Sequence, residues 1–515
     1  MDESNSPQSL MEDRISDLPD NLIHMILSFI DIKDVVQTSI LSKRWQYIWR
    51  SLSTLNFDVS GHSWRRTGKF MNFVYNILLF RDDCRIQRFQ LDCRNESIDS
   101  SHINTWIAKA VKHNVEELCI KSNTSNEFSI FSHCLCTCKS LTMFELKLPL
   151  RFNFGSEIVS TSSDNEKLAN ELFTKCPALE SLALDISRCG RISLRISVPT
   201  LKHISLTSDS YMGVSKVTLC APNLSSFICF TSLVEDYRLE NLSSLVTADV
   251  RINIKQYDKI SKIELHEKKK VSHAQRMVKL LGGIHNVKVL SLTNDFKVLA
   301  GAPEALDCQL PEFPNLQRLI LKTWLSRGCI DAIIHLLKES PNLEFLELNI
   351  EPVILGAKHI WNSGASLPFK LHHLKHIVIR GLQGYGNNEV RFIKIMLKNA
   401  MALEKVVLFG KFSQEDSRTK KRTKNFKATL LAYPGASSII SFRVDPNLTS
   451  GTYMGGLEKD EHKEDKVNNI ELHAAKKVSY AQSMVKVPLL TNNFKKHSLL
   501  LSMIHRMTHT NRESD

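Results

Sequence analysis

The chain has 515 residues, of which 43% are hydrophobic and 23% charged, and a formal net charge of +13 at pH 7. This length and balance are typical of a folded protein with several domains or one extended repeat array. No run of about eighteen apolar residues occurs, which argues against a membrane span. The acidic, polar stretch MDESNSPQSLMEDR lacks the apolar segment of a secretory signal. The sequence therefore predicts an intracellular protein, in the nucleus, the cytoplasm or both.

The basic residues are scattered along the chain, apart from two short runs, EKKK at 267–270 and RTKKRTK at 418–424. The second run could serve nuclear import or contact nucleic acid. No motif with stacking aromatic residues accompanies it, so we interpret it as a solvated loop. Nucleic acid and membrane are not predicted as partners.

The densest group of possible metal ligands comprises His133, Cys134, Cys136 and Cys138. Its C-x-C-x-C spacing differs from the paired C-x-x-C pattern of structural zinc sites, and no second pair follows at a suitable distance. Thiols stay free in a reducing compartment, so we interpret these cysteines as small, half-buried side chains beside a strand. Neither a metal nor a cofactor is predicted.

The first predicted elements are three short amphipathic helices between residues 14 and 52. The residues suited to begin them are Asp17 and Pro19, then Asp31 and Asp34, then Ser42. The third helix would carry Trp45 and Trp49 on one side. A unit this small cannot easily bury so much apolar surface by itself. It is therefore either an end cap for the rest of the chain or a surface that a partner covers.

A repeated pattern begins at residue 115. We assign eleven copies of the spacing apolar-x-x-apolar-x-apolar, from VEELCI at 115 to LEKVVL at 403. Most steps lie near the leucine-rich-repeat range of about 20 to 29 residues. The alternation at the end of each copy predicts a strand with one buried face. Proline precedes several copies, as in CPALESL and FPNLQRL, and we expect it to lead the chain extended into the strand.

Helical segments separate the later strands. Apolar spacing predicts helices over 329–340 and 388–400, and another over 269–283 in the longest step, closed by two glycines. One such unit cannot bury its own apolar face, so neighbouring units have to stack into a shared core. The predicted fold class is an α/β solenoid, an irregular leucine-rich-repeat horseshoe that follows the small all-α unit of three helices.

Four stretches of the sequence, two near each end of the repeats, carry a resemblance to a known family. DLPDNLIHMILSFIDIKDVVQTSILSKRWQYIWRSL (17–52) closely resembles the F-box of plant F-box/leucine-rich-repeat proteins, and LSTLNFD (52–58) resembles the usual exit from that box. Residues 313–412 are similar to the FBD region of the same plant family, most clearly in NEVRFIKIMLKNAMALEKVVLF. LLAYPGASSIISF (430–442) is similar to that family's closing strand.

The resemblance and the repeats together predict five segments. These are a disordered N-terminus (1–13), the F-box (14–58), a leucine-rich-repeat region (59–312), an FBD-like C-terminal repeat region (313–445) and a low-order tail (446–515).

The resemblance implies a non-catalytic, substrate-recruiting subunit of an SCF-type cullin-RING ubiquitin ligase. In that family the F-box docks on a Skp-type adaptor, which links it to the cullin and RING subunits, and the repeats hold the protein target for ubiquitination. Carried over by position, the residues that would enter the adaptor are Leu18, Pro19, Leu22, Ile26 and Leu27. Those that would complete the contact or brace the box are Val35, Val36, Ser39, Leu41, Trp45 and Trp49.

Target binding is assigned to the strands of the repeats. In a leucine-rich solenoid the middle residue of apolar-x-apolar faces the concave surface, and these positions include Glu145, Ser205, Asp249, Ser291 and Glu347. The three acidic residues among them hint at a basic or polar target. The identity of the target is not encoded in any motif that we recognise.

Two other classes of function compete with this interpretation. The motifs G-x-x-x-x-G-K-[ST], H-E-x-x-H, G-x-S-x-G and G-x-G-x-x-G are all absent from the sequence, so no catalytic residue is predicted. The alternative is a leucine-rich-repeat scaffold or nucleic-acid-associated protein that works without a ligase, which would suit the positive charge and RTKKRTK. Strong, salt-sensitive binding to nucleic acid would favour that alternative.

A repeat of another kind marks the tail. The segment 263–279 reappears as 470–486 with thirteen of seventeen positions identical, which indicates a recent duplication or a misjoined gene model. The strand that follows the first copy is missing after the second. We therefore predict that deleting residues 450–515 leaves adaptor binding and thermal stability nearly unchanged. A large fall in the melting temperature would show that the tail packs on the repeats.

Overall fold

The structure is a computed structural model. It describes residues 18–59, 67–94, 98–122, 135, 138–147, 176–185, 193–208, 216–231, 236–252, 263–293, 299, 310–351, 367–383, 387–410 and 417–444. The chain divides into two compact units between Lys121 and Ser122. Among the helices of these ranges, none combines the length and the apolar character that crossing a membrane requires. The predicted tail and the second copy of the duplicated segment lie outside the described residues.

The first unit alternates short helices with strands. Its elements are α1 (Asp20–Leu27), α2 (Ile32–Gln37), β1 (Thr54–Asp58), α3 (Thr67–Phe80), β2 (Arg88–Cys93), α4 (Ser100–Lys112) and, at its end, β3 (Glu117–Ser122). The strands are neighbours in the order β1-β2-β3, and β1 runs parallel to β2. Aromatic residues connect these elements: between ring centroids, Phe57 of β1 lies 6.3 Å from Phe73 of α3 and 5.5 Å from Phe89 of β2, and Phe70 of α3 lies 6.2 Å from Trp106 of α4.

Two arginines join the N-terminal helices to the strands and helix that come after them. Arg50 Nε donates a hydrogen bond of 2.7 Å to the carbonyl of Phe80, the last residue of α3. The buried guanidinium of Arg81 donates to the carbonyls of Leu52 at 3.1 Å and Cys84 at 2.8 Å. These hydrogen bonds tie the end of the N-terminal helical segment to the end of α3 and to the turn after it.

The second unit is dominated by a parallel sheet. Its strands are β4 (Met143–Lys147), β5 (Ser181–Asp185), β6 (Ser193–Ser197), β7 (His203–Thr207), β8 (Lys216–Cys220), β9 (Ser226–Thr231), β10 (Asp236–Glu240), β11 (Thr247–Ile252), β12 (Val289–Thr293), β13 (Arg318–Thr323), β14 (Phe345–Ile350), β15 (His376–Leu382), β16 (Lys405–Gly410) and β17 (Ile440–Val444). The main sheet has the order β4-β5-β7-β9-β11-β12-β13-β14-β15-β16-β17, and a second sheet has the order β10-β8-β6.

All eleven strands predicted from the repeated pattern are present, as β3, β4, β5, β7, β9, β11, β12, β13, β14, β15 and β16. The closing strand suggested by LLAYPGASSIISF is β17. Strands β6, β8 and β10 were not predicted. They lie in the three shortest steps, of 22, 23 and 21 residues between the copies that begin at 179, 201, 224 and 245. A short step leaves room for a second strand but not for a helix of ordinary length.

The prolines before the strands occupy turns. The amide of Leu201 bonds the carbonyl of Val198 at 3.2 Å, and the amide of Leu343 bonds the carbonyl of Ser340 at 3.3 Å, which places proline second in each turn. Proline suits that position because its φ is fixed near the value the turn needs. The asparagine after it links successive turns, as when Asn342 Nδ2 donates to the carbonyl of Pro314 at 2.8 Å. Proline therefore sets the repeat register through a turn as well as by ending the previous segment.

Helices cover the longer steps. They are α5 (Ile263–Gly283), α6 (Arg327–Lys338), α7 (Asn387–Asn399), α8 (Ser417–Leu431) and the short α9 (Ala436–Ile439). The three predicted helices are confirmed as α5, α6 and α7. The N-terminus of α6 is capped by Ser326, whose hydroxyl accepts from the amide of Cys329. The result is an N-terminal helical segment followed by an α/β repeat fold.

The interpretation of RTKKRTK as a solvated loop is wrong, because this run lies within α8. Lys421, Arg422 and Lys424 are exposed there, whereas Thr423, Phe426 and Leu430 are buried. The buried residues recur at helical spacing, which gives the basic segment an apolar stripe by which it packs. The positive charges occupy the solvent side of a folded element.

Candidate functional site

The N-terminal segment contains two α-helices instead of the three predicted. Residues 43–47 form turns and Ile48–Ser51 a 3-10 turn, so the predicted third helix does not form. Ser42 does not cap it, because the buried hydroxyl of Ser42 has no hydrogen-bond partner among the described residues. Asp17 lies outside the described residues, and Pro19 directly precedes α1. Trp45 and Trp49 therefore do not share one helical face.

The interior of this segment is small and apolar. Its buried apolar residues are Ile23, Leu27, Ile32, Val35, Trp45, Ile48 and Leu52. Leu27 was predicted to enter a partner, but its side chain is only 2% exposed and packs in this interior. Val35 and Trp45 are equally enclosed, which fits the bracing role that was one of the two predicted for them. These three residues support the surface from the interior and expose little area to a partner.

The outer side of the same segment is apolar and accessible. The predicted contact residues that are exposed or half-buried are Leu18, Pro19, Leu22, Ile26, Val36, Ser39, Leu41 and Trp49. Met25, Phe29 and Ile30 are also half-buried. Apolar side chains left in water at this density, on so short a segment, are typical of a surface that another protein covers.

Two further residues belong to this surface and were missed from the sequence. Ile40 is 78% exposed and Tyr47 is 58% exposed, the highest values among large apolar residues of the segment. The guanidinium of Arg50 lies 5.6 Å from the ring centroid of Tyr47. Both residues lie in or beside short 3-10 turns, whose orientation cannot be derived from a 3.6-residue period. Each of them is followed by another apolar residue, Leu41 or Ile48, so the sequence gives no local signal that singles them out.

Polar contacts fix the geometry of the two helices. An ion pair of 2.5 Å joins Arg44 to Asp20 in the first turn of α1. Asp31 caps α2, as predicted, by accepting from the amide of Lys33 at 2.8 Å, and its second oxygen accepts from the amide of Asp58 at 3.0 Å. Asp31 therefore ties the start of α2 to the end of β1. Burial raises the pKa of its carboxyl group to about 6, against the two hydrogen bonds, which lower it.

The raised pKa of Asp31 predicts a specific dependence of stability on pH. Between the ordinary pKa of 3.8 and the folded-state value of about 6, the folded protein binds a proton that the unfolded chain has released. The free energy of unfolding should therefore fall as pH rises through this interval, because the ionised carboxylate is desolvated. The Asp31→Asn variant removes this contribution.

We expect the difference in unfolding free energy between wild type and Asp31→Asn to change between pH 4 and 6 and to be constant above pH 7. Urea titrations across this range measure it. A difference independent of pH would show that Asp31 is not titrating with a raised pKa.

The residues assigned to target binding lie in one row of the main sheet. The strand register aligns Glu145, Ala183, Ser205, Ile228 and Asp249 across neighbouring strands. The row continues through Ser291 and Ile320 to Glu347. All five predicted residues are half-buried on the side of the sheet opposite the buried leucines and isoleucines. The sequence pattern therefore identified a common face correctly, while the target itself stays a matter for proposal.

One member of the cysteine-rich cluster lies within the described residues. His133, Cys134 and Cys136 lie outside the described residues, and Cys138 is buried with its sulfur 3.4 Å from the Ser140 hydroxyl. Within the described ranges, no group of three or more His, Cys, Asp or Glu side chains is arranged to hold a metal ion.

Comparison with known proteins identifies both parts of the chain. Residues 15–57 match the F-box domain. Residues 103–320 match the leucine-rich repeats of the family described as FBD-associated F-box protein At5g56370. The first match coincides with the apolar surface formed by α1, α2 and the turns after them, and the second with most of the parallel sheet.

Relatives of similar architecture occur in Arabidopsis thaliana. One F-box/LRR-repeat protein is 30% identical over 365 residues, covering 65% of this chain and 77% of the relative. Another is 29% identical over 421 residues, covering 76% of this chain and 96% of the relative. An F-box/FBD/LRR-repeat protein is 29% identical over 364 residues, covering 65% of this chain and 68% of the relative. The chain belongs to the plant F-box/FBD/leucine-rich-repeat protein family. It is thus of the substrate-adaptor type, a class of generally non-catalytic proteins whose F-box binds a Skp-type adaptor.

Proposed function

We propose that this protein is the substrate-recognition subunit of an SCF-type cullin-RING ubiquitin ligase. The F-box docks on a Skp-type adaptor, which brings the cullin and RING subunits, and the strand face of the repeats binds a protein target for ubiquitination. The observation that carries the proposal is the accessible apolar surface of α1, α2 and the turns after them, within the segment that matches the F-box. We place this activity in the nucleus, the cytoplasm or both, where such ligases meet their targets.

The contact on the adaptor is a helix-in-groove interface. Leu22 and Ile26 lie one turn apart on α1, so their side chains emerge on the same face, and Pro19 precedes them at its start. Trp49 and Tyr47 add large, partly polar anchors of the kind that dominate interface energies. Leu27, Val35 and Trp45 support these residues from beneath.

The test is stepwise assembly with purified proteins. The full chain is mixed with a Skp-type adaptor and then with cullin and RING subunits, and complexes are separated by size-exclusion chromatography. Co-elution with the adaptor alone and then with all subunits supports the proposal. Failure to bind the adaptor, together with tight and salt-sensitive binding to duplex DNA, would favour the scaffold or nucleic-acid alternative.

A further inference from the structure

The main sheet has an open face, defined by the strand positions that alternate with its buried residues, and charge is distributed unevenly along it. On β4 to β12 the charged residues of this face are Glu145, Asp185, Asp249, Lys147 and Arg251. On β13 to β17 they are Arg318, Lys322, Arg380, Lys405, Arg443 and Glu347. The first part is close to neutral, whereas the strand positions of the second carry five basic side chains against one acidic side chain. One of the five, Lys322, is paired at 3.7 Å with Glu351, which directly follows β14.

The acidic residues that were predicted on this face are already neutralised, which removes the hint of a basic target. Glu145 pairs with Lys147 at 2.8 Å, and Asp249 pairs with Arg251 at 2.8 Å. Glu347 is bound from both sides, by Arg318 at 3.1 Å and by Arg380 at 3.3 Å. A single carboxylate shared by two guanidinium groups leaves a positive excess at this point of the sheet.

Aromatic rings hold the arginines in place. The guanidinium of Arg318 lies 4.2 Å from the ring centroid of Phe345, and that of Arg380 lies 4.2 Å from the ring centroid of Phe409. Arg443 approaches the same Phe409 ring at 5.9 Å. A guanidinium that lies over a ring keeps the N–H groups of its edge available, and these bind carboxylates in pairs.

We propose that the open face of β13 to β17, here called the basic-aromatic face, binds an acidic segment of the protein target. The inference rests on the proposed function and deepens it by naming the chemical class of target. Five adjacent strands span about 19 Å, which corresponds to about six residues of an extended chain. Acidic side chains would replace or supplement Glu347 between the arginines, and apolar side chains would lie on Phe345 and Phe409.

The test uses the full chain without its adaptor and a labelled peptide of alternating glutamate and tyrosine, with binding followed by fluorescence anisotropy. We expect binding that weakens as salt is added. Arg380→Glu with Arg443→Glu should weaken it by at least about tenfold, because both guanidinium groups that flank Phe409 are lost. The matched control, Lys147→Glu with Arg251→Glu, makes the same change of charge at the neutral end of the face and should leave binding nearly unchanged.

A third variant is expected to increase the affinity for the peptide instead of lowering it. Glu347→Gln is nearly isosteric, and it frees two arginines from the carboxylate that competes with the peptide, so affinity should rise by about threefold or more. Weaker or unchanged binding by Glu347→Gln contradicts the proposal. Equal weakening by the two double variants also contradicts it, since that would mean a general effect of net charge. Thermal melting confirms that each variant is folded.

Two more outcomes separate this proposal from others. Tighter, arginine-dependent binding of duplex DNA than of the peptide would assign the basic-aromatic face to nucleic acid and overturn the acidic-segment proposal. Adaptor binding is measured on the same proteins. If the adaptor binds and the peptide does not, this inference fails alone. If the peptide binds and the adaptor does not, the ligase proposal fails alone.

Discussion

The double variant Leu22→Asp with Ile26→Asp is expected to lose adaptor binding by at least about a hundredfold while the repeats remain folded. Both residues are half-buried on one face of α1, so in a complex each would be enclosed by the adaptor. An aspartate there would have to be desolvated without a partner, which costs several kcal/mol in an apolar interface. Isothermal titration calorimetry with a purified Skp-type adaptor measures the effect.

The matched control for this variant is Asn21→Asp with Gln46→Asp. It introduces the same two negative charges into the same segment, at exposed positions. We expect adaptor affinity within a few-fold of wild type and an unchanged circular dichroism spectrum. Equal affinity of Leu22→Asp with Ile26→Asp and of wild type would remove the main support for adaptor docking through α1.

The largest effect on stability is expected at Gly381. This residue has φ of +78° and lies where the register between β15 and β16 shifts. A Cβ atom here would lie 2.0 Å from the backbone carbonyl oxygen of Ile350, which has no freedom to move away within a parallel sheet. Gly381→Ala should therefore lower the free energy of unfolding by about 3 kcal/mol or more, from left-handed strain and overlap together.

Substitutions at two other glycines separate the contribution of left-handed backbone strain from that of atomic overlap. Gly435 has the same φ of +78°, but a Cβ atom added to it would meet no heavy atom within 4 Å, so Gly435→Ala should cost only the conformational strain of about 1–2 kcal/mol. Gly68 lies in α3, also without a neighbour within 4 Å, and Gly68→Ala should be neutral or stabilising by up to about 1 kcal/mol. Chemical denaturation gives the three values. Equal effects at Gly381 and Gly435 would contradict the close approach to Ile350.

The strands were predictable because each repeat presents the same local signal. Leu346 and Leu348 in β14, for example, alternate with Phe345 and Glu347, and that period of two is sufficient to identify both the strand and its buried side. The strands of the second sheet were not predicted, although β10, DYRLE, alternates polar and apolar residues as the repeats do. The alternation alone does not show that a strand within the 21-residue step between two copies joins a different sheet.

The functional surface was predictable in its position but not in its detail. A resemblance over 17–52 located the segment, and the helical period placed Leu22 and Ile26 together on α1. The helical period does not show that Leu27 faces inward. Neighbouring residues on a helix point in directions that differ by about 100°, so either Ile26 or Leu27 could border the interior. Trp45 and Trp49 were misplaced because 3-10 turns and irregular turns replace the helix on which their spacing was judged.

For the target surface, the sequence predicted which residues share a face but not the charge of that face. The row from Glu145 to Glu347 followed from the repeats, and the pairs Glu145–Lys147 and Asp249–Arg251 join residues two positions apart on one strand. The pairing of Glu347 is different, because the linear sequence does not specify which strands approach it. Arg318 and Arg380 reach Glu347 from strands 29 and 33 residues away. The sign of the charge that a target meets is therefore a property of the assembled sheet and not of any single repeat.

Hydrogen exchange of the full chain, with and without a purified Skp-type adaptor, shows whether the adaptor docks through the F-box. We expect slower exchange on complex formation in residues 18–52, strongest in α1, with the exchange of the repeat strands unchanged. Slower exchange confined to the repeats, or no protection of residues 18–52 under conditions in which the adaptor binds, would contradict docking through the F-box.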